Sequence, residues 1–284
     1  MNRRNSLWIL VVLCALGLTS PRSASSATIA YWNHQTGTST LPDLVGGDQT
    51  LVGGGNVVSS SALNIAPLPV PNPDAVTTGG AGSIYFSSEP NVNVPHLSSA
   101  SVFQMTGSSS FTFEGWIQAN QGATGYIASD RHQGNSYRGW FLELKASGAI
   151  QFYSNSGGTA NSIASSAVTD GTGHHFAAVW DHTASQMSLY VDGVIQGTPQ
   201  SHSVGAYSVY GFAIGGRDGT SGGGAFVDNR LTAGTRLDEM RFSNAALSPS
   251  EFLNVPEPAT LALLGLGGLL MPRRRSARAA RRHG

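Results

Sequence analysis

The chain has 284 residues, with 16 basic residues against 16 acidic ones and a single cysteine. Nine of the basic residues (Arg3, Arg4, Arg22, Arg273, Arg274, Arg275, Arg278, Arg281 and Arg282) lie in the two ends, so Thr28 to Pro258 holds seven basic against 16 acidic residues, a net −9. That balance excludes nucleic acid, which needs a basic footprint, and the lone Cys14 excludes an internal disulfide, so stability must come from a core that about 225 residues can build as one domain.

In chain order, Arg3 and Arg4, the apolar run Leu7 to Leu18 and the small polar stretch Ser23-Ala24-Ser25-Ser26-Ala27 follow the plan of a secretory signal peptide. The run is about 12 residues, short of the roughly 20 that cross a bilayer as a helix. Ser25 and Ala27 are small enough for a signal peptidase, which predicts cleavage after Ala27 and a leader over 1–27.

Beyond the leader, abundant Gly, Ser, Thr and Val and short apolar runs separated by turn residues predict an all-β sandwich or barrel. Asn64 to Asp74 is proline-rich and reads as a surface crossing. Ser110 to Ile117 alternates, sending Phe111, Phe113 and Ile117 to one face and Thr112, Glu114 and Trp116 to the other. Trp140, Leu142 and Leu144 alternate with Phe141, Glu143 and Lys145, and the chain returns after Ala146-Ser147-Gly148 through Ile150 to Tyr153, which predicts a hairpin. His175 to Trp180 is nearly continuous in apolar character, as in a central strand covered on both faces. Met187 to Val191 follows, and Asp192-Gly193 marks a tight turn whose geometry needs positive φ. Gly215 to Gly234 reads as a long rim loop. Leu237 to Phe242 reads as a last strand, and Ser248-Pro249-Ser250-Glu251 carries a capping box with Pro at the first helical position, which predicts one or two helical turns.

The final thirty residues run Val255-Pro256-Glu257-Pro258-Ala259-Thr260, then apolar from Leu261 to Met271, then Arg273-Arg274-Arg275. This order closely resembles the PEP-CTERM sorting signal of Gram-negative bacteria. The resemblance implies recognition of Pro256, Glu257 and Pro258 by an exosortase-type transpeptidase, cleavage at or near that triplet, and delivery to the cell surface or extracellular matrix. Ala259 to Met271 is only about 13 residues, marginal for a hydrocarbon core roughly 30 Å thick, while the arginines beyond would hold that end in the cytoplasm; this fits a transient inner-membrane anchor, with an ordinary tail anchor as the alternative.

The middle strands, with Tyr31-Trp32-Asn33, Ile84-Tyr85-Phe86, Val94-Pro95, Phe111 to Trp116, His174 to Ala177, Leu189 to Gly193, Ala213-Ile214-Gly215, Leu237 to Ser243 and Ala246-Leu247-Ser248 in that order, resemble the LamG-like jelly roll of the concanavalin A-like lectin and glucanase superfamily. The resemblance runs over roughly Thr28 to Asn254. It implies a two-sheet antiparallel jelly-roll sandwich flanked by a leader and a short C-terminal hydrophobic helix, with units 1–27, 28–254 and 255–284. One departure is Gly173, which stands where the family places Trp before the histidine pair.

That superfamily hosts sugar binders, glycosidases and structural modules, so the site must decide. Glycoside hydrolysis needs two carboxylates facing each other across the sugar. The family's glucanase strand, Glu-x-Asp-x-x-Glu, is absent, and consecutive residues such as Asp238 and Glu239 point to opposite faces of a regular strand. No catalytic residue is therefore assigned. Adjacent His174 and His175 cannot easily share one ion, so zinc is not expected. The resemblance implies a structural Ca²⁺ on the aspartate of the final strand, Asp238, with Asn33 or carbonyls around Ser87 to Glu89 as partners; Asp238 paired with Arg236 or Arg241 is the alternative. Asp218, Asp228 and Asn229 form either a second rim site or ordinary turns. Tyr126, Tyr137, Tyr207 and Tyr210 lie near predicted loops, where exposed rings could serve as sugar platforms. The expectation is an exported noncatalytic module that binds extracellular polysaccharide or another envelope glycan. The alternatives are a structural matrix protein that self-associates through sheet edges or rim loops, and a degenerate glycosidase.

Overall fold

A computed structural model describes residues 28–32, 43–45, 49–51, 57–61, 82–86, 94–97, 101–106, 108–130, 138–156, 160–203, 211–217 and 229–253. The leader, Asn33, the 64–74 crossing, Ser87 to Glu89, Tyr137, Tyr207, Tyr210, Asp218, Asp228, the Pro256-Glu257-Pro258 triplet and the terminal apolar segment lie outside the described residues.

The described residues form β1 (Thr28–Trp32), β2 (Val57–Ser61), β3 (Gly82–Phe86), β4 (His96–Leu97), β5 (Phe111–Gln118), β6 (Gly125–Ser129), β7 (Gly139–Leu144), β8 (Ala149–Asn155), β9 (Ala160–Ala167), β10 (Gly173–Asp181), β11 (Gln186–Val191), β12 (Val194–Ser201), β13 (Phe212–Ile214) and β14 (Arg236–Ser243). Two 3-10 turns, Ser101–Phe103 and Pro249–Glu251, complete them. The strands build two antiparallel sheets. An eight-stranded back sheet has the order β12-β11-β10-β5-β14-β3-β2, with β1 also on β14, and a six-stranded front sheet has the order β4-β13-β6-β7-β8-β9. The all-β jelly-roll expectation holds.

The alternation in each strand explains the layering. Phe111, Phe113 and Ile117 of β5 join Trp140, Leu142, Phe152, Phe176, Phe212 and Phe242 in one core between the sheets. Aromatic rings fill its centre: Phe111 lies 5.1 Å from Phe242 and 5.2 Å from Trp140, and Phe103 lies 4.4 Å from Phe212. A buried indole needs an acceptor for its N–H. Trp140 donates to the Phe103 carbonyl at 2.8 Å, and Trp180 to the Thr106 carbonyl at 2.9 Å. The segment Phe103 to Thr106 thus packs into the core and satisfies two tryptophans.

Both predicted hairpins form, with Leu144 opposite Ile150 and Val191 opposite Val194. Asp192 at φ 50° and Gly193 at φ 75° give the turn its two left-handed residues. The histidine pair opens β10, a central strand between β5 and β11, and Gly173 lies opposite Gln118. The predicted helical turns are a single 3-10 turn, where the Glu251 carboxylate accepts the Ser248 N–H at 2.8 Å.

The last strand departs from regular alternation. Asp238 pairs with Trp116 and Arg241 with Glu114, so β14 carries one extra residue against β5, and Glu239 sits at φ 51°. This bulge lets the first half of β14 pair with β3 and the second half with β1. The sequence rule that Asp238 and Glu239 point to opposite faces assumes an unbroken pleat, which the bulge removes.

Candidate functional site

The two outer faces of the sandwich differ in chemistry. On the front sheet, Trp140, Leu142, Ile150 and Phe152 enter the core, so Phe141, Glu143, Gln151 and Tyr153 turn outward. Phe141 and Tyr153 are register partners, and their rings stack at 4.5 Å and 21°. On its other side Phe141 stacks against Tyr126 of β6 at 4.5 Å and 15°. The Arg217 guanidinium lies over the Tyr126 ring, 5.4 Å from its centroid. The result is a ladder running across three neighbouring strands.

Stacking decides what this ladder offers. Both faces of the Phe141 ring are used by Tyr126 and Tyr153, and Phe141 and Tyr126 are each only 4% exposed. Tyr126 is therefore a member of a stack rather than the isolated exposed platform that its position near a loop implies. Of the three rings only Tyr153 is half-buried rather than buried, and it lies beside the half-buried polar groups Gln151, Asn155 and Glu143, the last held by Lys145 at 3.2 Å. The Asn155 amide lies 3.5 Å from the Tyr153 hydroxyl. Alternation in Trp140 to Lys145 signals which residues face outward, but the meeting of three rings depends on register between strands.

The back sheet is covered by the segment that follows β14, residues 244–253. Glu114 is fully buried; its Oε1 accepts from Arg241 Nε at 2.8 Å and Nη2 at 2.5 Å, and its Oε2 lies 3.0 Å from His175 Nε2. The same Oε2 accepts the Leu253 N–H at 2.7 Å, and Arg241 also donates to the Glu251 carbonyl at 2.6 Å. Burial alone would raise the Glu114 carboxyl, but the His175 hydrogen bond, the charges of Arg241 and His175 and the Leu253 amide together hold it below the ordinary carboxylate value. Thr112 adds a second anchor, with its hydroxyl bonded to the Ala245 carbonyl at 2.7 Å and to the Leu247 amide at 2.9 Å. Leu247 and Phe252 pack on Ala177 and Val179, and Leu253 packs on Tyr31. This strap is absent from the sequence expectations. Beyond the capping box at Ser248 to Glu251, its signal is Glu114, the one carboxylate of a strand buried from Phe111 to Ile117.

Of the expected calcium ligands, Asp238 is buried in β14, and its Oδ1 accepts the Glu239 N–H at 2.9 Å. Glu239 accepts the Tyr31 hydroxyl. Burial pushes both carboxyls up to about 7. The Arg241 guanidinium goes to Glu114. The donor set fits a hard cation in kind, two carboxylates held out of water, yet Ca²⁺ takes about 6 to 8 oxygens. Among the described residues no group of three or more His, Cys, Asp or Glu converges on one point. Asn229 adopts φ 47°, and its carbonyl accepts the Tyr126 N–H at 2.8 Å, which is turn chemistry.

Two further titratable sites stand out. His174 sits between Asp192, 2.8 Å from Nδ1, and Asp170, 3.2 Å from Nε2. Burial alone would lower that imidazole, but the two carboxylates outweigh it and raise it. Asp130, at the end of β6, is fully buried, and neither carboxyl oxygen finds a partner among the described residues; burial pushes it well above the ordinary range.

The profile of a family described as the concanavalin A-like lectin/glucanases superfamily matches residues 86–252, and that of the PEP-CTERM protein-sorting motif matches residues 254–276. No curated protein is similar to the chain. Among solved structures, the binding domain of Paraclostridial Mosquitocidal Protein 1 is similar with a TM-score of 0.55 and 15% identity, over 79% of this chain and 50% of that one. The botulinum neurotoxin serotype D binding domain is similar with a TM-score of 0.54 and 12% identity, over 86% of this chain and 52% of that one. A Trypanosoma rangeli sialidase in complex with sialic acid follows at 0.52 and 17%, over 78% and 31%. The chain thus spans about half the length of the first two and 31% of the third, and at these identities the likeness is one of fold. Among the described residues no helix is long and apolar enough to cross a membrane.

Proposed function

This chain belongs to the concanavalin A-like lectin/glucanase superfamily, and on that premise we propose that it is an exported, noncatalytic module that binds carbohydrate of the cell envelope or extracellular matrix. The observation that carries this reading is the half-buried Tyr153, backed by the buried stack of Phe141 and Tyr126, beside Gln151 and Asn155 on the front sheet. An aromatic ring held rigid by stacking, next to amide and hydroxyl groups, suits a polyhydroxylated ligand with apolar C–H patches. Catalysis has less support. The strands of the front sheet hold one carboxylate, Glu143, already paired with Lys145, whereas glycoside hydrolysis requires two.

The sorting motif supports export with a C-terminal anchor and an exosortase-type transpeptidase as the processing partner, after a signal peptidase has removed 1–27. Calcium is part of the proposal in a structural role: Asp238, a buried carboxylate on the last strand, with Asn33 as a further ligand, would hold it. A second reading, self-association through sheet edges, draws on Val194 and Ile195, 62% and 45% exposed on the edge strand β12. Pro199 in that same strand opposes it, because a proline cannot donate to a new ladder.

The test is binding of the purified exported protein to the producing organism's own extracellular polysaccharide, in calcium and again after chelation. Saturable binding is expected. Loss on chelation would tie calcium to that role, and no binding in either condition would replace this reading with the self-associating matrix protein.

A further inference from the structure

Leu253, the last described residue, lies on the face opposite the aromatic ladder. Leu253 is pinned through its amide to Glu114 and packs on Tyr31, both on the outer side of the back sheet. The ladder lies on the outer side of the front sheet, beyond the shared core. Packed sheets stand roughly 10 Å apart, and the strap and the ladder each add a further layer of side chains, so the two faces are separated by roughly 20 Å or more.

The tether to the membrane is short. The sorting motif begins at residue 254, next to the last pinned residue, and the apolar segment begins at Ala259. From Leu253 to Ala259 a fully extended chain spans at most about 21 Å. With the ladder face down, the tether would have to cross the back sheet to an edge and then descend a thickness of roughly 20 Å or more, because it cannot pass through the packed core of a domain roughly 40 to 45 Å across, and that path exceeds its reach. The tether therefore cannot carry the exit face to the far side of the domain.

We infer that, while the sorting segment is in the membrane, the strap on the back sheet faces the lipid surface and the ladder on the front sheet faces away from it, toward the extracellular matrix. The buried Glu114–Arg241–His175 network is what makes this orientation a property of the fold, because it fixes the exit point at Leu253 instead of leaving residues 244–253 as slack tether. A released strap would add ten residues, about 35 Å of reach, and would let the domain turn over. The inference rests on the sorting segment acting as an anchor. It does not depend on which ligand the ladder binds.

The test uses the full chain, made in a host without the transpeptidase so that the sorting segment is retained, and reconstituted into phosphatidylethanolamine–phosphatidylglycerol vesicles carrying a headgroup spin-label quencher. Cys14 is the only native cysteine, so with it replaced by Ala a single fluorophore can be placed at will. Ser250→Cys reports from the strap, and Ser162→Cys, the exposed register partner of Tyr153, reports from the ladder face. The strap label is expected to be quenched several-fold more than the ladder label. Equal quenching, stronger quenching at Ser162, or no quenching of either label on chains that float with the vesicles would overturn the orientation. Failure of the chain to float would overturn the anchor and the orientation with it, while leaving polysaccharide binding by the same protein as a separate result.

Discussion

Glu114 and Arg241 lie opposite one another on adjacent strands and form a buried ion pair, with Arg241 Nε and Nη2 both on Glu114 Oε1. The pair is not isolated. The other carboxylate oxygen takes His175 and the Leu253 amide, and the guanidinium also takes the Glu251 carbonyl, so a contact between two strands becomes the fastening of the C-terminal strap.

Removing one partner of such a pair leaves the other charge buried and uncompensated. Glu114→Gln is expected to destabilise the protein by about 3–5 kcal/mol, and the double variant Glu114→Gln/Arg241→Met by clearly less than the sum of the single losses. Urea unfolding of the four proteins measures this, and additive losses would show that the pair is not coupled.

The same carboxylate sets an acid limit. Its value in the folded protein lies below the ordinary 4.5, so its contribution is fully present above about pH 4.5 and is lost as pH falls through the folded value. The stability gap between wild type and Glu114→Gln should narrow as pH drops from about 6 to about 3. Asp170, held at about 2 chiefly by the Thr172 backbone amide and hydroxyl, titrates equally in both proteins and cancels in the difference. A gap constant with pH would count against the ionised, buried Glu114.

Loss of the ladder's outer ring should weaken sugar binding without unfolding the domain. Tyr153 is half-buried and lies outside the main core, so Tyr153→Ala is expected to cost about 1–2 kcal/mol of polysaccharide affinity, roughly tenfold, with a small change in Tm. Titration calorimetry and a thermal melt separate the two effects. Unchanged affinity would remove the ladder from the binding surface.

Calcium should act on stability through Asp238. A ligand that binds only the folded state at a hundred times its Kd stabilises it by about 2.7 kcal/mol. Wild type should melt higher in excess calcium than after chelation, and Asp238→Ala should melt equally in both. A calcium response that survives in Asp238→Ala would place the ion elsewhere.

The sorting motif predicts a mature protein without its basic end. Mass spectrometry of the chain recovered from the producer's surface should find Arg273 to Arg275 absent, and finding them attached would identify a plain tail anchor.

Much of the fold was legible because it rests on local pattern. The period of two in Phe111 to Ile117 and in Trp140 to Lys145 assigned inward and outward residues correctly, and Asp192-Gly193 announced its turn. Tyr126 was legible as an aromatic near a loop but not as a ladder member, since its place follows from how β6 registers on β7. The bulge at Glu239 was hidden because a left-handed glutamate has no sequence signature, and it changed where two neighbouring carboxylates point.

By itself the sequence determined what short-range physics controls: two sheets from alternating residues, a core without disulfides, and a terminal segment whose order of triplet, apolar run and arginines carries its own meaning. The tertiary structure alone decided which distant residues meet. Glu114, His175, Arg241 and Leu253 span 139 positions between Glu114 and Leu253, and no spacing rule joins them. They converge because β10, β5 and β14 are neighbours in one sheet, and an ion pair that would be screened and weak in water becomes a strong constraint once the strap removes it from solvent.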